Sequence, residues 1–211
     1  MEQSEARYFE MNRVGWDRRA AVHVESRFYD VDGFLAGASS LREIELAGLQ
    51  DVAGRKLLHL QCHFGLDTLS WAREGAVCTG VDISPVAVQK ARELAERASL
   101  SATFVCSDVY GFAPPADAPF DIVYTSYGAL CWLPDLDRWA QVVASNLAIG
   151  GRFYIVEFHP IYDLLAGYSY FTRPAPDVEE EGTYTENGAE AVAELATWAH
   201  PLSSVMNAMI G

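Results

Sequence analysis

The sequence predicts an α/β fold, a mostly parallel sheet with helices on both faces. Three observations carry that prediction. From Leu57 to Phe158 short, nearly continuous apolar runs alternate with helical patterns, as they do when crossover helices bury both faces of each strand. The chain is 50% hydrophobic, 12% aromatic and 21% charged, a balance that offsets ordering entropy and excludes a disordered polymer. At 211 residues it fits one core, since single domains commonly run to roughly 100–200 residues.

Ala6 to Ala53 reads as helical, with a capping box at Ser40-Leu41-Arg42-Glu43 and aromatics at Tyr8, Phe9, Trp16, Phe28, Tyr29 and Phe34; residues 1–55 are expected to form a helical cap or lid. Leu57 to Gln61 is the first strand, Asp67 to Arg73 a helix, and Val77 to Asp82 the second strand. Ser84-Pro85 opens a helix to Ala98, with serine as N-cap and proline at the first turn, where no donor is needed. Ala102 to Cys106 and Phe120 to Thr125 are strands, Asp135 to Leu147 is a helix ended by Gly150-Gly151, and Arg152 to Phe158 is a fifth strand. This is a Rossmann-like core over residues 56–211, with right-handed crossovers. Residues 160–200 read as a substrate-side insertion: the acidic run Asp177, Glu179, Glu180, Glu181 is expected as a solvated loop, and Tyr184 and Ala196 to Trp198 as short strands of a hairpin. Pro201 to Ile210 is a closing helix.

Charge narrows the partners. Fifteen Lys+Arg against 29 Asp+Glu give −14, and Lys56 and Lys90 are the two lysines. Such a chain repels phosphate backbones, so no nucleic-acid partner is expected. Cys62, Cys78, Cys106 and Cys131 form no C-x-x-C pair, which points to reduced thiols, no disulfide framework and no metal site. The start has no apolar leader and no stretch approaches a membrane span. A cytoplasmic protein with no membrane partner is expected.

In an open parallel sheet ligands bind at the carboxyl ends of the strands. After the first strand, Gln61-Cys62-His63-Phe64-Gly65-Leu66-Asp67-Thr68 turns tightly into a helix whose amides can hold an anion. Asp82 follows the second strand, seventeen residues beyond Gly65, a spacing at which a carboxylate accepts from both ribose hydroxyls. Ser107-Asp108-Val109 offers a second acid suited to an adenine amine, and Ser126-Tyr127-Gly128 lies where a reacting group can sit.

Leu58-His59-Leu60-Gln61-Cys62-His63-Phe64-Gly65, Gly80-Val81-Asp82-Ile83-Ser84, Cys106-Ser107-Asp108-Val109, Phe120-Asp121-Ile122-Val123-Tyr124 and Leu147-Ala148-Ile149-Gly150-Gly151-Arg152-Phe153, taken in order, resemble the class I S-adenosylmethionine-dependent methyltransferases of the small bacterial type. The likeness covers roughly Lys56 to His159. It implies a seven-stranded sheet, S-adenosylmethionine as cofactor and S-adenosylhomocysteine as product. It also implies that Gln61, His63 and Gly65 lie near the methionine moiety, Asp82 at the ribose, Ile83 on the adenine, and Asp108 with the Val109 amide at the adenine edge, with Ser107 and Ser126 alongside. His59 stands where an acid is common, and Gln61 and His63 replace two glycines. Side chains are tolerated there where φ stays negative, at the expense of close backbone approach. Either they contribute contacts or the loop is degraded, and a non-catalytic cofactor-binding protein is the alternative to an enzyme. The absent G-x-G-x-x-G and the second acid at Asp108 argue against a nicotinamide enzyme.

Methyl transfer from a sulfonium is an in-line displacement in which positioning supplies much of the acceleration. A base is needed only where the acceptor must lose a proton. His159, His200 and Tyr127 are the candidates, with His23 and His63 ranked below. Trp132, Tyr170 and Trp198 are candidates for an aromatic acceptor wall, and Trp16 and Tyr29 for a lid that excludes water. The expected acceptor is a small organic molecule, aromatic or heteroaromatic, methylated on nitrogen or oxygen. The resemblance leaves the last two strands of the family's sheet unaccounted for. A longer chain, a homodimer partner covering the edge, or the late segment itself would each supply the missing cover.

Overall fold

A computed structural model describes residues 2–113 and 119–211. Three helices precede the sheet: α1 (Glu2–His23), α2 (Val31–Leu35) and α3 (Glu43–Gly48). The core then runs β1 (Lys56–Leu60), α4 (Leu66–Arg73), β2 (Val77–Asp82), α5 (Pro85–Ala98), β3 (Ala102–Cys106), β4 (Phe120–Ser126), α6 (Leu136–Asn146) and β5 (Leu147–Val156). A short helix α7 (Ile161–Leu165), a hairpin of β6 (Asp177–Glu181) and β7 (Ala193–Thr197), and α8 (Leu202–Ile210) complete it.

The five core strands pair in parallel in the order β3-β2-β1-β4-β5. The order in which successive strands are added reverses between β1 and β4, and the loops that follow those strands part there, which is where open α/β sheets bind ligands. Alternate residues of β1 face opposite layers. Leu58 and Leu60 pack with Val123, Trp139 and Val143 under α6 and α8, while Leu57 packs with Trp71, Ile122 and Tyr124 toward α3 and α4. The expected N-cap holds: the Ser84 hydroxyl accepts from the Ala87 amide at 3.0 Å.

Three expectations change. The capping box sits two residues later than read, with the Arg42 amide donating to Glu45 Oε2 at 2.7 Å, because the Ser40 hydroxyl is spent on Asp67 and Ser70. The acidic run is a strand rather than a solvated loop, pairing antiparallel with β7 from Asp177↔Thr197 to Glu181↔Ala193, while Tyr184 lies outside both strands. The fifth strand starts at Leu147 and passes through Gly150-Gly151, where helix termination had been expected. Among the described residues the main sheet has five strands, in keeping with the two last strands of the family's seven that the sequence leaves unaccounted for.

The hairpin docks on α1 through side-chain chemistry. Asn12, 3% exposed, donates Nδ2 to the Ala196 carbonyl and accepts the Ala196 amide on Oδ1, both at 2.8 Å. One asparagine thus completes the free edge of β7. At the opposite face of α1, Asp17 accepts from Ser84 Oγ at 2.6 Å, tying α1 to the start of α5.

Candidate functional site

A cavity of about 1370 Å³ opens at the carboxyl ends of the strands, bordered by the β1 and β4 loops, by α1 and by the hairpin. Single small-ligand pockets usually measure roughly 300–1,000 Å³, so there is room for two molecules side by side.

The loop after β1 keeps a glycine-type backbone without the glycines. Gln61 and His63 have φ of 57° and 52°, contrary to the expectation that a side chain survives here only at negative φ. Gly65 (φ 81°) is required, since a Cβ there would lie 2.7 Å from the Phe104 ring. Polar anchors hold the strained pair in place. The His63 amide donates to Asp82 Oδ2 at 2.7 Å, and Gln61 Nε2 donates to the Ala129 carbonyl at 2.8 Å. The β4 loop is fixed in turn by Glu157, whose carboxylate accepts the amides of Gly128, Ala129 (2.8 Å) and Leu130 (3.1 Å).

Asp82, Ile83, Ser107, Asp108, Val109 and Ser126 all border the cavity, together with Gln61, His63 and Gly65. Asp82 is 8% exposed. Burial raises its pKa to about 6, against the pull of the Ser84 and His63 amides. The cavity lining here thus combines the carboxyls of Asp82 and Asp108 with the apolar side chain of Ile83.

Between β1 and β4 lies a polar cluster that the linear sequence does not announce. Asp67, in the first turn of α4, accepts from the Ser40 hydroxyl at 2.6 Å and the Ser126 hydroxyl at 3.1 Å. His59 joins the cluster, its Nε2 3.3 Å from Ser126 Oγ and its Nδ1 2.8 Å from Thr68 Oγ1. Burial lifts Asp67 to about 6, with the two hydroxyls opposing, and pushes the enclosed His59 down to about 3. Arg42 stands beside this cluster, its guanidinium 5.0 Å from the Tyr127 ring centre.

The facing wall is aromatic. Trp16, Tyr29, Trp132 and Trp198 all border the cavity, so four predicted acceptor-wall or lid residues come together. Trp16 packs edge-on against His63 (5.1 Å between ring centres) and Trp132 (5.3 Å). Arg19, a residue sequence reasoning missed, packs beside both the Trp16 and Trp132 rings and pairs with Glu181 at 2.7 Å. Buried polar atoms without a partner gather on this cavity: Gln61 Oε1, His63 Nδ1, the Tyr127 hydroxyl and Arg19 Nε. Folded proteins rarely leave such groups unpaired unless something else completes them, so the donor set fits a polar ligand.

Three predicted residues lie elsewhere. His159 is exposed, off the cavity wall, and its Nδ1 accepts the Ile161 amide at 3.2 Å at the start of α7. His200 donates Nε2 to the Leu133 carbonyl at 2.7 Å, and burial lowers its pKa; it too is off the wall. Tyr170 packs on Phe171, and Tyr168 reaches the cavity instead. Of the first-ranked catalytic candidates Tyr127 alone borders the cavity, at φ 35°.

Comparison with known proteins agrees with this geometry. A family described as a methyltransferase domain matches residues 57–151. Ubiquinone biosynthesis O-methyltransferase of Xanthomonas oryzae pv. oryzae is 29% identical over 189 residues, covering 86% of this chain and 76% of that one. An S-adenosylmethionine-dependent methyltransferase from Mesorhizobium loti superposes with a TM-score of 0.58 at 25% identity, over 83% of this chain and 81% of that chain. One from Clostridium acetobutylicum shares the fold at a TM-score of 0.60 and 15% identity, over 79% and 76%. The matched region spans the strands and the β1 and β4 loops at the floor of the cavity, so residues 57–151 carry a methyltransferase domain, and the chain is similar over most of its length to S-adenosylmethionine-dependent methyltransferases.

Proposed function

We propose that the enzyme methylates an oxygen or nitrogen of a small aromatic or heteroaromatic molecule. The observation that carries this reading is one cavity lined both by the carboxyls and loops at the strand ends, suited to a nucleoside, and by aromatic rings from α1, the β4 loop and the hairpin side. The name of the Xanthomonas oryzae relative, an O-methyltransferase, favours oxygen. When bound, the cofactor supplies an electrophilic methyl group on a sulfonium.

The chain's own residues divide the remaining work. Asp82 accepts from the ribose hydroxyls, Ile83 packs on the adenine, and Asp108 with the Val109 amide reads its edge. Gln61, His63, Gly65 and Ser126 surround the methionine portion, where Asp67 and Arg42 offer opposite charges to its ammonium and carboxylate. Trp16, Tyr29, Trp132 and Trp198 orient the acceptor and exclude water. Residues 1–55 act as the lid, and the β6–β7 hairpin as its support.

Calorimetric titration with S-adenosylhomocysteine tests the cofactor half. Binding to the parent and its loss in Asp82→Ala, with folding confirmed by circular dichroism, is the expected pair of results. Undiminished binding in the variant would remove Asp82 from the ribose.

A further inference from the structure

We propose that Glu157 is a positioning residue for the methyl-transfer site. Its carboxylate fills an anion-binding nest of backbone amides in the β4 loop, and from that loop both the cofactor side and the aromatic side of the cavity are aimed. This role rests on the methyl-transfer reading above and adds to it a residue that does not border the cavity.

The nest follows from the local backbone. Tyr127 and Gly128 take φ of 35° and 74°, both left-handed, and Ala129 returns to the right-handed region at −90°. A turn of this kind points successive N–H groups to one side, a concavity that selects an anion. Here the chain supplies the anion itself, from the residue that follows β5. Glu157 Oε1 accepts the Gly128 amide and, at 2.7 Å, the Phe158 amide; Oε2 accepts the Ala129 amide at 2.8 Å and the Leu130 amide at 3.1 Å.

These donors stand in for a cation. Among the described residues Glu157 forms no ion pair with Lys or Arg, and the charged group beside it on α7 is another acid, Asp163. An ionised carboxylate offers acceptors on both oxygens and matches the four amides. A glutamine would turn one oxygen into an NH2 group and set N–H against N–H.

The loop carries this constraint to both sides of the cavity. The Ala129 carbonyl accepts Gln61 Nε2 at 2.8 Å, holding the residue whose left-handed backbone opens the loop after β1. Directly after Ala129 the chain makes a 3-10 turn over Leu130–Trp132, which brings Trp132 against Trp16 in the aromatic wall. Within that turn the Cys131 carbonyl accepts the Trp198 amide at 2.8 Å. One carboxylate thus sets the support of Gln61, Trp132 and Trp198 together. It does so through main-chain groups.

Calorimetry of S-adenosylhomocysteine on the parent, Glu157→Gln and Glu157→Ala tests the role, with folding checked by circular dichroism. The nearly isosteric Glu157→Gln should weaken binding at least about tenfold, because charge-assisted bonds are lost and donors are left facing donors. In Glu157→Ala the emptied nest should take up formate. Added formate should then recover affinity severalfold and raise the melting temperature of this variant, an effect that chloride at the same ionic strength does not match and that the parent does not show. A side chain that only fills space predicts the reverse. Parent-like binding by Glu157→Gln, or no response of Glu157→Ala to formate, overturns the proposal. Hydrogen exchange on the parent keeps it falsifiable where the variants do not fold: the Gly128, Ala129 and Leu130 amides should exchange at least about tenfold more slowly than open-loop amides, and unprotected amides overturn the nest. Absence of binding to the parent overturns the methyl-transfer reading and the positioning role with it. The formate-dependent melt and the exchange rates, which need no cofactor, separate that failure from a failure of the nest.

Discussion

Gln61 and His63 occupy left-handed backbone at a cost of roughly 1–2 kcal/mol each. Such strain persists where surrounding bonds over-determine it and where the site uses it. Here the bonds are identifiable: Asp82 takes the His63 amide and the Ala129 carbonyl takes the Gln61 side chain. Gln61→Gly separates use from relic. Relief of strain offsets the lost side-chain bond, so the unfolding free energy should move by under about 1 kcal/mol. S-adenosylhomocysteine affinity should fall severalfold, because Gln61 Oε1 is one of the buried atoms awaiting a partner. Denaturant unfolding and calorimetry on the same preparation give both numbers. Undiminished affinity would make the glutamine a passenger. Glycine-loop departures were visible in the sequence; that the backbone would keep the glycine conformation was not, because φ at a side-chain-bearing residue is set by anchors 19 and 68 residues away.

At the scale of elements, α1 and the β6–β7 hairpin form one unit through Asn12. Asn12→Ala leaves the Ala196 amide and carbonyl without their partner, each buried group costing about 1–3 kcal/mol. A loss of about 2–4 kcal/mol is expected in denaturant unfolding, with hydrogen exchange accelerated first along β7. Uniform protection across β7 and the central strands would show that the hairpin does not depend on this contact. The same unit marks where sequence reading stopped. Strands β1, β2 and β4 were legible because burial on both faces makes them nearly continuous apolar runs, and β3, an edge strand with Phe104 buried, by its place in the strand–helix alternation. The strand Asp177–Glu181 carries four acids in five residues and is largely exposed, so it lacks the alternation that announces a half-buried strand. Its partner offered small residues, Ala193 and Ala196, whose role is to let α1 approach. Arg19, Ser40 and Asp67 were missed for the same reason: each is a common surface residue type until the fold sets it against partners 27 to 162 positions distant. His159 and His200, both beside prolines at strand ends, had the right residue type and position along the chain, but their nitrogens serve the backbone of neighbouring turns.

At the scale of the molecule, buried histidines and carboxyls make stability and ligand binding respond to pH in distinguishable ways. His23, His59 and His63 are held below the ordinary histidine value, so below about pH 6.5 the unfolded chain binds protons that the folded chain refuses, and stability falls with pH. Asp67 and Asp82, raised to about 6, act oppositely, because the folded state protonates them before the unfolded state does. With His200 also lowered and Asp163 raised, four histidines against three carboxyls leave a net uptake of protons on unfolding near pH 5.5, so stability falls toward acid. Denaturant unfolding of the ligand-free protein at pH 7.5, 6.5 and 5.5, in enough salt to screen the charge of −14, should show stability dropping toward acid. A flat or rising profile would mean that the histidines are not buried neutral. Adding S-adenosylhomocysteine isolates the carboxyls. If Asp82 must be ionised to accept from the ribose, affinity at pH 5.5 falls about fourfold relative to pH 7.5 for a group titrating near 6, and more if Asp67 holds the ammonium. Ligand protection in a thermal melt should shrink accordingly, whereas in Asp67→Asn the acid-side loss should retreat to the share carried by Asp82. Equal protection at both pH values would remove ionised carboxylates from cofactor recognition, leaving the loop amides and the Ile83 face to account for it.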